Sequence, residues 1–391
     1  MPKNILITVA GPDQPGITSK LMNILVQTNE TICDLGQSVT HGLLSLSFLV
    51  KPQNWNNGDT PFIKELLFEA SKMNLHLSFQ EISDVNQFVH DSEKFVLSCV
   101  STKNLEASFI RDMSSILASH NINILRLDNV NPKNFKALEI ITTLPKDIDF
   151  SKVKAELLTA STVNKVDIAF LKDNVWRRSK RLIVFDMDST LIQTEVIDEM
   201  ADRVGAGESV REITERAMNG ELDFNQSLVE RVSQLKGLKV EEMQDILENL
   251  PFTPGVEDFI KTVKNLGYKV ALISGGFSFF ANALKEKLDL DYAFANELKI
   301  VDGKLTGEVE GTIINAQQKE MILKMITQQE KISLEQVVAI GDGANDLPML
   351  SAAGLGIAFH AKDVVKKEAE QHMSHGPMTT ILYFLGIPDP N

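Results

Sequence analysis

Two aspartates, Asp186 and Asp188, stand one residue apart where an apolar run ends in "RLIVFDMDST". In an extended segment, side chains at i and i+2 point the same way, so both carboxylates converge on one point beyond the strand. Carboxylates that close stay ionised only beside a cation; otherwise one keeps a proton. Phosphoryl chemistry has a use for both states. One carboxylate can attack phosphorus as a nucleophile. The other, protonated, can give its proton to a leaving alkoxide and later take one from water. Mg²⁺, which prefers oxygen ligands and keeps some waters, would hold the nucleophile and the phosphate together.

Further groups of this kind recur downstream. "ALISGG" ends in Ser274, Gly275 and Gly276, a hydroxyl and backbone N–H groups suited to a phosphate. Lys319, in the helical stretch "NAQQKEM", offers a cation to a phosphoryl group. "IGDGANDLPML" supplies Asp342, Asn345 and Asp346 on a glycine-containing turn after another apolar run, where a metal site belongs. Each alone also fits a solvated loop, an ordinary turn or a polar helix face. The four together are far less common by chance.

The elements that must position them follow from the texture of the chain. "RLIVFD", "KVALIS" and "VVAIGD" are continuous apolar strands alternating with helical stretches such as "GVEDFIKTVKNLG". That pattern predicts an α/β domain over residues 173–391, a Rossmann-like parallel sheet covered on both faces. Ligands of such sheets bind beyond the carboxyl ends of the strands. Residues 195–250 are too long for a loop, rich in charged helix formers, and predict a helical cap. Met187, between the aspartates, is expected to point into the core. Upstream, residues 1–86 and 87–172 each read as βαββαβ, the split ferredoxin-like arrangement, in tandem. In the first copy His41 and Gly42 form a hairpin turn, Pro61 opens a helix, and "NWNNGDT" is a loop. "WRRSKR", at residues 176–181, reads as a solvated linker feeding a strand. His372 and His375 read as exposed tail residues with helix-like spacing.

Composition narrows the function classes. The 391 residues carry a formal charge of -14, which disfavours nucleic acid and anionic membranes as partners. No apolar run approaches the ~18–20 residues that span a bilayer. The two cysteines, Cys33 and Cys99, exclude a disulfide framework and suit a reducing compartment. With no basic region and apolar core at the N-terminus, the expected location is cytoplasmic.

The set strand-DxDST, strand-SGG, helical lysine and strand-GDGxND resembles the haloacid dehalogenase superfamily from residue 181 onward. The second aspartate, missing from the DKTGT pattern of ATPase-pump relatives, favours hydrolysis or a mutase reaction. More closely, "FDMDSTLIQTEVIDEMA", "NQSLVERVSQLKGL", "GDGANDLPML" and "MTTILYFLGIP" resemble the phosphoserine phosphatase family. The two N-terminal copies resemble ACT domains, with "GPDQPGI" as the ligand-side turn. The second copy has "STKNLEA" there, without the paired glycines.

This resemblance implies Mg²⁺-dependent hydrolysis of O-phospho-L-serine through an aspartyl-phosphate. It implies Asp186 as nucleophile and Asp188 as general acid/base. Asp186, the Asp188 carbonyl and Asp342 are the implied metal ligands, with Asp346 behind them. Ser274, Gly275 and Lys319 bind the phosphoryl group, Glu195 the substrate ammonium, and Arg231 its carboxylate. Phe224 closes the cap, and Asn345 contacts substrate or phosphate. The resemblance further implies an amino-acid effector near Gly11 and Gly16, and a homodimer. The rival readings are a phosphatase for another small phosphomonoester and an amino-acid-sensing regulatory protein.

Overall fold

The computed structural model describes residues 4–53, 60–82, 93–131, 133–145 and 147–387, in two compact units, residues 1–91 and 92–391. The expected "NWNNGDT" loop, all but its last residue, and the junction of the two N-terminal copies lie outside the described residues, as does the loop residue Pro132.

In the first unit Asn4–Pro12, Thr31–Thr40, Leu43–Lys51 and His76–Ile82 form an antiparallel sheet, with Asn4–Pro12 between Leu43–Lys51 and His76–Ile82. Period-2 alternation buries Ile5, Ile7 and Val9 on one face, against Ile17–Gln27 and Pro61–Lys72. Pro61 occupies the first turn of its helix, where its missing N–H has no intrahelical role. His41 and Gly42 both take positive φ, 49° and 77°, the hairpin geometry matched to strand twist.

The second unit begins with the same topology. Asn123–Asn129, Ala137–Thr143, Lys94–Val100 and Asp167–Lys172 repeat the sheet order, with helices Ala107–Ser119 and Phe150–Asn164. A seven-stranded sheet follows, in the order Lys304–Glu310, Tyr292–Val301, Lys269–Phe277, Leu182–Phe185, Val337–Gly341, Leu355–Phe359, Gln371–Met373. It is parallel except for the Tyr292–Val301/Lys304–Glu310 hairpin. The order of strand addition reverses at Leu182–Phe185, which pairs in parallel with Lys269–Phe277 on one side and Val337–Gly341 on the other. Its run is wholly apolar because each face has its own core. Ile183 and Phe185 pack on one side with Val270 and Phe259, and Leu182 and Val184 on the other with Ala271 and Leu323. Four helices, Val196–Arg203, Gly207–Met218, Phe224–Ser233 and Val240–Glu248, occupy the span expected for the cap.

Two sequence expectations need correction. The 176–181 stretch is not simply solvated. Arg177 is 5% exposed and forms a buried ion pair with Glu139 of the small sheet (Nη1–Oε1 2.7 Å). Lys180, 6% exposed, donates to the Glu335 carbonyl at 2.6 Å. The histidines are not a helical tail either. His372 is buried in the edge strand Gln371–Met373, and His375 is half-buried just beyond it. The small sheet packs there. The Gln371 amide brackets the Phe170 backbone, accepting its N–H at 2.9 Å and donating to its carbonyl at 3.0 Å. Asp167 accepts the backbone N–H groups of Ser374 and His375 at 2.7 and 2.9 Å. Val100, Ala137 and Ala169 of the small sheet share a core with the large one.

Truncating one partner of a buried ion pair strands the other charge. Arg177→Met should therefore lower unfolding free energy by about 3 kcal/mol in denaturant titration, and adding Glu139→Leu should recover most of it. Burial, helped by Lys366 and Lys154, holds His372 down at about 4, so the fold keeps it neutral. Its contribution is complete above the ordinary histidine range near 6.5 and is lost as pH falls toward 4. The urea midpoint of the native chain should drop across that window relative to His372→Gln; parallel pH profiles would show that His372 does not couple folding to protons.

Candidate active site

The site forms beyond the carboxyl ends of the central strands. Asp186 extends Leu182–Phe185 by one residue, its N–H donating to the Ile340 carbonyl at 2.9 Å. Met187 turns into the core, fully buried, and Asp188 faces the site again. Ser189 takes φ 57°, and the tight turn sends the chain back so that its hydroxyl donates to Glu195 at 2.9 Å. Asp342 and Asp346 follow Val337–Gly341. A cavity of about 740 Å³ is lined by Asp186, Asp188, Glu195, Arg231, Ser274 and Asp342, with Phe224, Gly275 and Asn345 also on its wall.

Lys319 does not line this cavity. It lies fully buried beneath it, its ammonium 2.7 Å from both Asp186 Oδ1 and Asp346 Oδ1. Burial alone would depress this lysine, but the two carboxylates lift it above its ordinary range. Asp346 takes a second bond from the Gly343 N–H at 3.0 Å. Its place requires Gly341 to lack a side chain, since a Cβ there would lie 2.5 Å from the Asp346 carboxyl carbon.

Asp186, Asp342 and Asp346 bring carboxylate oxygens within 4.8 Å of one another around this single ammonium. Burial, then the Asp346 and Asp342 carboxylates, push Asp186 up to about 8 against the pull of Lys319. Burial and Asp346 push Asp342 up to about 7, opposed by a 3.0 Å hydrogen bond from Thr190 Oγ1. Such crowding of oxygen ligands in excess of positive charge fits a hard divalent cation. Asp188 stands apart from that trio. Its Oδ1 accepts the Val196 N–H at 3.0 Å, while burial and the charges of Glu195 and Asp186 hold its carboxyl well above the usual range.

Sequence reasoning missed the supports of these groups. Asn296, 1% exposed, donates to the Gly275 carbonyl at 2.8 Å and accepts the Ile314 N–H at 2.7 Å, pinning the SGG loop. Nothing in "FANEL" marks it. Thr190 could have been found in the DST triplet. Gly276 donates its N–H to Ser274 Oγ at 2.8 Å, and a Cβ on it would lie 2.7 Å from Asp188 Oδ2. Gly275 leaves room for the Phe224 ring, 3.0 Å from where its Cβ would be.

Known proteins resemble this chain in sequence and fold. A family model for haloacid dehalogenase-like hydrolases matches residues 180–354, and one for the ACT domain matches residues 3–80. The phosphoserine phosphatase SerB2 of Mycobacterium tuberculosis is 37% identical over 393 residues, 98% of this chain and 93% of the relative. The chain belongs to the phosphoserine phosphatase family. Among solved structures of this family, a probable phosphoserine phosphatase of Vibrio cholerae superimposes with TM-score 0.60 at 38% identity, covering 75% of this chain and 86% of that one. A phospho-aspartyl intermediate analogue of phosphoserine phosphatase matches at 48% identity and TM-score 0.50, covering 53% of this chain and 99% of that one. As a family member the chain is a metal-dependent hydrolase, and its fold joins a Rossmann-like phosphatase domain to ferredoxin-like ACT architecture. Among the described residues no helix is long and apolar enough to cross a membrane.

Gly276→Ala tests the packing of the acid. A Cβ there displaces Asp188 and the Met187 side chain, 2.6 Å away, while leaving every charge in place. Steady-state kinetics should record a kcat about 100-fold lower, with the melting temperature nearly unchanged.

Proposed function

We propose that the chain hydrolyses O-phospho-L-serine to L-serine and phosphate through an aspartyl-phosphate on Asp186. One observation carries the substrate choice. Glu195 and Arg231 share a single cavity with Asp186, Asp188 and Ser274. Phosphoserine presents an ammonium, a carboxylate and a phosphate; a sugar phosphate has nothing for the acid or the arginine.

The Asp186 carboxylate attacks phosphorus as the bond to the serine oxygen breaks, and Asp188 gives its proton to that oxygen. Water then attacks the phosphorus of the acyl phosphate, Asp188 takes its proton, and phosphate leaves with Asp186 restored. Asp186, Asp342 and the Asp188 carbonyl would hold Mg²⁺, which would supply Lewis-acid charge to the phosphoryl group. Lys319 fixes Asp186 and neutralises charge on the transferring group, while Ser274 and Gly275 donate to its oxygens. Asp346 holds Lys319 and would stand behind the metal ligands. Phe224 and Asn345 close over the substrate.

An amino-acid effector near Gly11 and Gly16, and a homodimer through the N-terminal copies, belong to the same proposal. The support for the homodimer is the edge strand Thr31–Thr40, all ten residues of which are exposed, including Ile32, Leu35 and Val39; that for the effector is a hollow lined by Asp13, Gln14, Gly16 and Gln37.

Phosphate release should be strong with O-phospho-L-serine and Mg²⁺, absent with EDTA, absent in Asp186→Asn, and weak for a panel of sugar phosphates. Arg231→Met should raise KM for phosphoserine at least tenfold, by loss of a charge-assisted bidentate contact. Turnover of the panel without phosphoserine would keep the aspartate chemistry and remove Glu195 and Arg231 from substrate recognition.

A further inference from the structure

A second cavity, of about 610 Å³, lies between the small sheet of residues 94–172 and the large sheet, away from the catalytic carboxylates. Its lining carries four cations, Lys154, Lys172, Arg177 and Lys180, against two carboxylates, Glu335 and Glu370. Arg177 is matched by Glu139 and Lys172 by Glu93. Lys154 and Lys180 are not. Each donates to one backbone carbonyl, Ala369 at 2.6 Å and Glu335 at 2.6 Å, and among the described residues neither stands in an ion pair. Both Glu335 and Glu370 are exposed and screened by water, whereas Lys180 is 6% exposed and Lys154 half-buried. The interior of the cleft is therefore positive in a chain whose net charge is -14. Burial pushes Lys180 down to about 8 and lowers Lys154, only partly opposed by the charges of Glu335 and Glu370.

Aromatic rings line the same cleft, Phe150 one turn from Lys154 on the helix Phe150–Asn164. Phe150 and Phe170 stack at 5.3 Å and 7°, and Phe95 leans on both at 5.9 and 5.4 Å. Phe150 remains 38% exposed. An adjoining hollow of about 300 Å³ continues past Phe150 and adds Lys366 and Lys367 to the basic side. Stacked rings beside two lysines that stand in no ion pair, one buried and one half-buried, are the chemistry of a small-molecule site.

We propose that this cleft binds a small aromatic carboxylic acid, its carboxylate held by Lys154 and Lys180 and its ring on Phe150, and that occupancy alters turnover at the catalytic site. The route is short. Lys180 precedes the strand that ends at Asp186. Leu334 and Glu335 precede the strand that ends at Asp342. Ala352 and Gly354, on the wall of the cleft, close the helix that begins after Asp346. All three carboxylates around Lys319 thus sit at the far ends of elements rooted in this cleft, each only four to six residues long.

Isothermal titration of the full chain with phenylpyruvate, a probe of this class, tests the site, with acetate and benzyl alcohol as probes of each half alone. The expected result is saturable binding of phenylpyruvate only, weakened about tenfold by Lys154→Gln and by Phe150→Ser and unchanged by Arg231→Met. Phosphate release should shift along the same saturation curve. Melting temperatures of the two cleft variants check that they fold. Absence of saturable binding at millimolar probe, binding indifferent to both cleft substitutions, or binding lost with Arg231→Met would overturn the site. Binding with no change in phosphate release would overturn the coupling.

Discussion

Lys319, buried between Asp186 and Asp346, is the interaction on which the rest of the catalytic half depends. An ammonium group with no exposed surface is tolerable only when carboxylates surround it, and carboxylates this crowded are tolerable only around a cation. That mutual requirement ties the helix Ala316–Gln329 to two parallel strands at their carboxyl ends. It also sets the geometry that a metal and a phosphate would meet. Gly341 and the Gly343 N–H exist to seat Asp346, and Thr190 to seat Asp342.

The division of labour between the two paired aspartates follows from their neighbours. Asp186 has a lysine at 2.7 Å, and so an ionised form is within reach at neutral pH. Asp188 has acidic neighbours and a single backbone N–H, and so holds its proton. Two residues apart in sequence and alike in chemistry, they are given different surroundings by the fold, as the proposed nucleophile and acid roles require.

Much of this was legible in the sequence because the catalytic groups sit at the ends of apolar strands, and apolar runs are easy to see. The aspartate pair, the SGG loop, the helical cap and both βαββαβ copies depend on local periodicity and motif spacing. The misread and missed parts depend on contacts that no local pattern marks, between residues 21 to 201 positions apart. Arg177 looks like a linker charge until Glu139 is beside it. "EAEQHMSHG" is polar enough to pass for a tail, yet three of its residues form a buried strand because a second sheet covers it. Asn296 supports Gly275 from 21 residues away, with no pattern of its own.

The joint between the small sheet and the strand Gln371–Met373 also has a bearing on how the chain is made. The small sheet precedes the phosphatase residues and is complete in itself, so during synthesis it emerges first. The strand Gln371–Met373 leaves the ribosome later, Gln371 following Phe170 by 201 residues. It meets a surface already folded, with the Phe170 backbone ready for the Gln371 amide and the Asp167 carboxylate ready for two N–H groups. An outer strand that would otherwise offer an open edge to neighbouring chains is covered as it arrives. The upstream module thus serves as a built-in template for closing the catalytic sheet.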